Sequence, residues 1–188
     1  MLEPARLHWE QIRNGFILRQ YDDDYFYCTH SVHERRIPDP NEDRGEFRFA
    51  IIDKDPNDGE ATVVGYFRYY LCILEDAIYG IQVLSFVPKE KHPCIGLDVY
   101  REVTKLIHTH NKVNFTCLDT APAVHLYDRL CEKYKGRKLV YYEDVMDNRR
   151  VFHDKYEYEI FNPNHPKYGC NAQKLIGGKT NEDRTADR

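Results

Sequence analysis

The sequence predicts a single α/β (α+β) domain, with a mixed, mostly antiparallel central sheet and helices on both faces. Three observations predict it. Two long runs rich in β-branched and aromatic residues, Ala61 to Leu74 and Ala77 to Val87, flank Glu75-Asp76 and read as an antiparallel hairpin. The apolar period then changes: Leu97, Tyr100, Val103, Thr104 and Ile107 recur at helical spacing, which predicts a helix over 95–109. Strand and helix alternate from there to residue 161, which demands a mixed sheet with helices packed on it.

The elements follow in order. Residues 5–13 suit a short amphipathic helix anchored by Leu7 and Ile12. Phe16 to Gln20 fits a strand or a helix start. Asp22, Asp23 and Asp24 can open a helix at Tyr25, since carboxylates favour the positive end of the helix dipole. Ile37 to Gly45 is a loop by composition, and Lys54 to Gly59 a turn set by Pro56 and Gly59. Glu46 to Asp53 precedes that turn as a strand. After the helix, Lys112 to Leu118 is a short strand. Ala123, Leu126, Tyr127, Leu130, Cys131 and Tyr134 form a second helical stripe, with Asp119 or Thr120 as N-cap and Gly136 as C-cap. Arg137 to Tyr142 and Arg149 to Phe161 complete the strands. Residues 162–188 show no period and read as a mobile tail after one domain spanning 1–161.

The 188 residues can bury a core without disulfides. The apolar share of 41% excludes wholesale disorder. A net charge of -4 argues against a chain spread along a phosphate backbone. Cys28, Cys72, Cys94, Cys117, Cys131 and Cys170 are irregularly spaced without a C-x-x-C pair, so they read as reduced thiols rather than a disulfide framework or zinc ribbon. No apolar run approaches the roughly 20 residues of a membrane-spanning helix. The N-terminus lacks the apolar core of a signal peptide. A cytoplasmic location is the expectation. His30 and His33 can share a helix face, but no third ligand stands at motif spacing, so no metal site is expected.

Two segments can carry chemistry. The junction Val87 to Gly96 leads from a strand into a helix, where free backbone N–H groups and the helix dipole suit a phosphate, with Lys89 and Lys91 adding charge. Thr120 to Tyr127 opens the next helix and places Tyr127 on its apolar stripe, either as core or as a phenol facing a reacting group.

The second segment, T-A-P-A-V-H-L-Y at 120–127, resembles the N-E-P-A-I-A-L-Y segment of GCN5-related N-acetyltransferases. It matches at Pro122, Ala123, Leu126 and Tyr127, with Val124 for Ile and Thr120 for Asn. Val87-Pro88 closes a strand as V-x-P does in that family. Lys91 to Gly96 then stands where the family reads R-G-x-G-I-G: Ile95 and Gly96 match, Lys91 replaces Arg, and His92 and Cys94 replace the two glycines. The resemblance covers residues 46–143.

The resemblance implies a mechanism. The fourth strand splays from the fifth, and the pantetheine arm of acetyl-CoA or another acyl-CoA lies in the resulting V. Ser85, Phe86 and Val87 bind the arm through their backbone and polarise the thioester carbonyl. Lys91, Cys94, Ile95, Gly96, Thr120 and Ala123 complete the donor site. A small-molecule or protein amine attacks directly, and Tyr127 protonates the departing thiolate. For the general base, Glu75 stands on the hairpin beside Asp76 and Gln82, and a base acting through water is an alternative. Two other readings accompany this one. The segment from Thr29 to Arg36 resembles the His/Arg-bearing segment of phage DNA-modification proteins with this fold, which implies a nucleobase-modifying enzyme and a nucleic-acid partner. The replaced glycines fit a binding module that kept the fold without the activity.

Overall fold

A computed structural model describes residues 1–19, 45–54, 61–88, 95–121, 123–146 and 150–171. The expected loop before Gly45, the turn after Lys54, the Asp22 to Asp24 helix start and the His30 to Arg36 cluster lie outside these residues.

The chain opens with a short strand β1 (Leu2–Pro4), a 3-10 turn (Ala5–Leu7) and helix α1 (Trp9–Arg19). The helix is longer than the sequence suggested and absorbs the segment after Phe16. Its anchors are Ile12 and Phe16, with Ala5 in the turn before it, one helical turn apart and buried; Leu7 points outward at 65% exposure. A stripe at positions 5, 9, 12 and 16 is the period that a narrower window misses. Strands β2 (Glu46–Lys54), β3 (Ala61–Cys72) and β4 (Ala77–Ser85) follow, then α2 (Ile95–Thr109), β5 (Lys112–Leu118), α3 (Val124–Tyr134), β6 (Arg137–Met146) and β7 (Phe152–Phe161).

The strands form one sheet in the order β1-β2-β3-β4-β5-β7-β6. Among the described strands, only β4 and β5 pair in parallel; the other neighbours are antiparallel. The parallel pair requires a crossover, and α2 supplies it. Helices cover both faces. On one side α1 seals Ala50, Ile52, Val63, Tyr66 and Leu84. On the other, α2 and α3 bury Phe67, Ile78, Val113, Phe115, Tyr158 and Ile160.

Three local expectations change. The helix after β5 starts at Val124 with Ala123 at its N-cap and no side-chain cap, rather than at Asp119 or Thr120. The Asp119 carboxylate is engaged elsewhere, accepting from the Thr120 N–H at 2.8 Å and lying 3.2 Å from His153 Nδ1. At the other end, Lys135 takes the left-handed conformation (φ 54). Gly136 instead lets the chain pass close to β7, since a Cβ there would come within 2.8 Å of the Glu159 carbonyl. Residues 162–171, read as the start of a mobile tail, fold back in a hydrogen-bonded turn. Pro163 is buried, and its carbonyl accepts from the Asn171 N–H at 2.9 Å.

β4 carries one residue more than either neighbour. Between Ile78 and Ile81 it advances three positions while β5 advances two, from Val113 to Phe115. Against β3 it advances from Tyr79 to Gln82 while β3 goes from Tyr70 to Arg68. Gly80 sits in this bulge at φ 61, and a Cβ on it would meet the Tyr70 ring at 2.8 Å. Glycine alone meets both demands at little cost. Gly80→Ala is expected to lower stability by about 1–3 kcal/mol, read from the urea midpoint at unchanged slope.

Candidate active site

The bulge decides what β4 and β5 do next. A bulge bends its strand and raises local twist. Beyond it the two strands share one more ladder position, Ile81↔Phe115, and then none, although β4 runs on to Ser85 and β5 to Leu118. The strands therefore part from Gln82 onward. Their backbone groups alternate between the two neighbours. Phe86 donates its N–H to the Val64 carbonyl of β3 at 2.9 Å. By the same alternation, Val83 and Ser85 turn their N–H and C=O groups toward the widening gap.

The residues of the expected backbone set are placed differently along this edge. Ser85 faces the gap, but the Phe86 N–H is engaged on β3, and the Phe86 ring packs edge-on against Phe16 at 5.9 Å. Val87 is tied to the Ser85 side chain, whose hydroxyl donates to the Val87 carbonyl at 2.7 Å. Val83, two residues before Ser85, turns its backbone groups to the same gap. The sequence signal for it was Gly80, an isolated glycine inside a strand, which commonly marks a bulge.

Tyr127 lies at the fork. It is 2% exposed, stacks on Phe115 with ring centroids 4.8 Å apart, and meets Tyr158 edge-on at 5.8 Å. Phe115 is the β5 residue of the last shared position. Behind it, Tyr158 donates to Asp128 Oδ1 at 2.8 Å, and Lys138 Nζ reaches the same oxygen at 2.7 Å. Burial and then the Asp128 hydrogen bond push the Tyr158 phenol up, so it stays protonated as a rigid wall.

Ile95 and Gly96 form the first turn of α2. Ile95 packs on the core, while Gly96 is exposed with open space where a Cβ would stand. That leaves the backbone of the turn accessible from outside. Lys91 and Cys94 lie outside the described residues. Thr120 is exposed in the turn before α3, and Ala123 is half-buried at its N-cap. Glu75 is not brought to the fork. It sits in the turn before β4, 55% exposed, bonded by the Tyr79 hydroxyl and 3.7 Å from Lys112 Nζ. Lys112 pairs with Ala77 at the closed end of the V.

The opposite face of the sheet holds a cavity of about 500 Å³, lined among others by Tyr79, Gly80, Asn114, Phe115, Thr116 and Glu157. Phe115 and Gly80 belong to the fork itself, so the cavity approaches it from the side away from α2 and α3. Asn114 Oδ1 is buried there without a hydrogen-bond partner. Nearby, Glu46 is 4% exposed and holds Arg48 at 2.6 Å and Arg68 at 2.7 Å; Arg68 Nε also donates to Gln82 Oε1 at 2.6 Å. This network fixes Gln82, the first β4 residue past the last shared position. Sequence reasoning missed it, because it depends on the β2–β3 register.

The fold as a whole has counterparts among solved structures. A point mutant of the spermidine N-acetyltransferase SpeG from Vibrio cholerae superposes with a TM-score of 0.54, 15% identity, and coverage of 88% of this chain and 95% of that one. A chimera of Vibrio cholerae SpeG and hSSAT gives a TM-score of 0.53 at 15% identity, covering 87% and 95%. This is the GCN5-related N-acetyltransferase fold. No family model and no curated protein sequence matches the chain. The acetyltransferase fold is thus recognised here in three dimensions, at an identity that speaks for architecture alone. Among the described residues no helix is long and apolar enough to cross a membrane.

Proposed function

We propose that the protein is an acyl-CoA-dependent N-acyltransferase that transfers an acetyl or similar group to an amine. The observation that carries this reading is the parting of β4 and β5 after Ile81 and Phe115. It leaves a slot whose edge is main chain and whose fork is closed by a tyrosine.

The slot suits a pantetheine arm, which carries amide groups that pair with a strand edge. Val83 and Ser85 would bond it, and an N–H there would polarise the thioester carbonyl. The α2 turn at Ile95 and Gly96 would receive the pyrophosphate. The amine enters through the cavity on the opposite face, where Asn114 Oδ1 accepts a hydrogen bond from it. Its nitrogen attacks the carbonyl carbon, and the carbon–sulfur bond breaks. Tyr127 gives its proton to the sulfur; the proton shed by the nitrogen passes to solvent through the cavity, and solvent returns one to the Tyr127 phenolate before the next turnover. The structural likeness to spermidine acetyltransferases supports an alkylamine as acceptor.

Acetyl-CoA at about 100 times its dissociation constant is expected to stabilise the protein by about 2.7 kcal/mol, measured as a rise in Tm. No shift at millimolar acetyl-CoA would leave a binding module that shares the fold.

A further inference from the structure

β6 is the outer strand of the sheet, and all its residues but Val145 are exposed. Its centre is apolar: Leu139 is 56% exposed and Tyr142 78%, with Val140 and Tyr141 between them. Edge strands of monomers are usually short, charged or interrupted. A long edge with an apolar centre is a template for another strand. The ends of this one carry opposite charge, Arg137-Lys138 before the apolar four and Glu143-Asp144 after them. A copy laid antiparallel therefore sets each basic end against an acidic one.

We propose that β6 pairs with β6 of a second copy of this chain across a two-fold axis, joining two sheets into one. The register can be narrowed. Residues of one parity turn their backbone groups to the free edge, so the axis must pass through a residue and not between two. An axis at Tyr141 would set Leu139 against Glu143 and Lys138 against Asp144. It leaves an apolar side chain facing a carboxylate. It also relies on two charges already engaged within the chain, Lys138 with Asp128 at 2.7 Å and Asp144 with Lys155 at 2.9 Å. An axis at Val140 sets Val140 against itself, Leu139 against Tyr141, and Arg137 against Glu143. The Arg137 side chain is 63% exposed; it lies 3.5 Å from Glu159 and over the Phe161 and Tyr168 rings, contacts that leave most of its surface open. The ladder with β7 shifts after Tyr141, and Glu143 stands at φ 49, so the new ladder runs from Lys138 to Tyr142 and the Arg137–Glu143 ion pairs flank its two ends. Arg137 and Leu139 also line the cavity described above, so the second copy's Tyr141 would extend its wall.

The test is sedimentation of the full chain from about 1 µM to about 100 µM. The expected result is a dimer. Val140→Lys, which sets two ammonium groups together on the axis, should give a monomer with unchanged far-UV circular dichroism. Glu143→Arg should raise the dimer dissociation constant about tenfold or more. Mixing it with the Arg137→Glu chain should restore the dimer, because each copy then supplies what the other lost. A wild-type monomer throughout that range overturns the proposal, as does a dimer that neither Val140→Lys nor Glu143→Arg weakens. If Val140→Lys unfolds the chain, the Glu143→Arg arm decides alone. Acetyl-CoA binding plays no part in these readings.

Discussion

Tyr127→Phe is expected to lower kcat by about 10²- to 10⁴-fold while leaving acetyl-CoA affinity nearly unchanged. The substitution keeps the ring, so the stack on Phe115 and the edge contact with Tyr158 survive. The hydroxyl is what disappears. If it protonates the departing sulfur, the loss falls on the transition state, and kcat and kcat/KM fall together. Melting temperature with and without the donor checks that the fold and the slot are intact. An unchanged kcat would make Tyr127 a core residue and return the proton to water.

Glu46→Ala is expected to destabilise the fold by about 3–5 kcal/mol, a loss read from urea unfolding. The Glu46 carboxylate is 4% exposed and bonds two guanidinium groups, those of Arg48 and Arg68, which are 10% and 16% exposed. Removing it leaves two largely buried cations repelling each other across adjacent strands. Glu46→Gln keeps the shape and one acceptor oxygen, so it should recover part of the loss. The effect reaches the candidate site, since Arg68 holds Gln82 beside the fork. A loss below about 1 kcal/mol would mean that solvent screens these charges as it does on a surface.

Residues whose partners are near in sequence announced themselves. The hairpin around Glu75-Asp76 and the helix over 95–109 stand where the pattern put them, because a strand's alternation and a helix's stripe are written in consecutive side chains. The fork was legible only through family resemblance. Its physical cause is the bulge at Gly80, a single glycine inside β4, and its meaning depends on neighbours that the local sequence does not name. Glu75 illustrates the limit: it stands on the right hairpin but at the paired end of β4, and sequence order carries no measure of that separation. The Glu46–Arg68 pair spans β2 and β3 and follows from a register set by tertiary packing. The turn over 162–171 lacks any period, and its order comes from packing, as where Arg137 lies over the Phe161 and Tyr168 rings at 5.7 and 5.6 Å.

The order of the last three strands governs how the chain can assemble during synthesis. β7 lies between β5 and β6, pairing with both, although it is made after both. A ribosome delivers about 5–20 residues per second, so a nascent chain passes through an interval in which β5 has no antiparallel neighbour and β6 has nothing to join. The β1 to β4 half can settle early around α1, whereas the half bearing Tyr127 must wait for Phe152 to Phe161. The wall behind the fork, built on Tyr158, is therefore among the last parts to close.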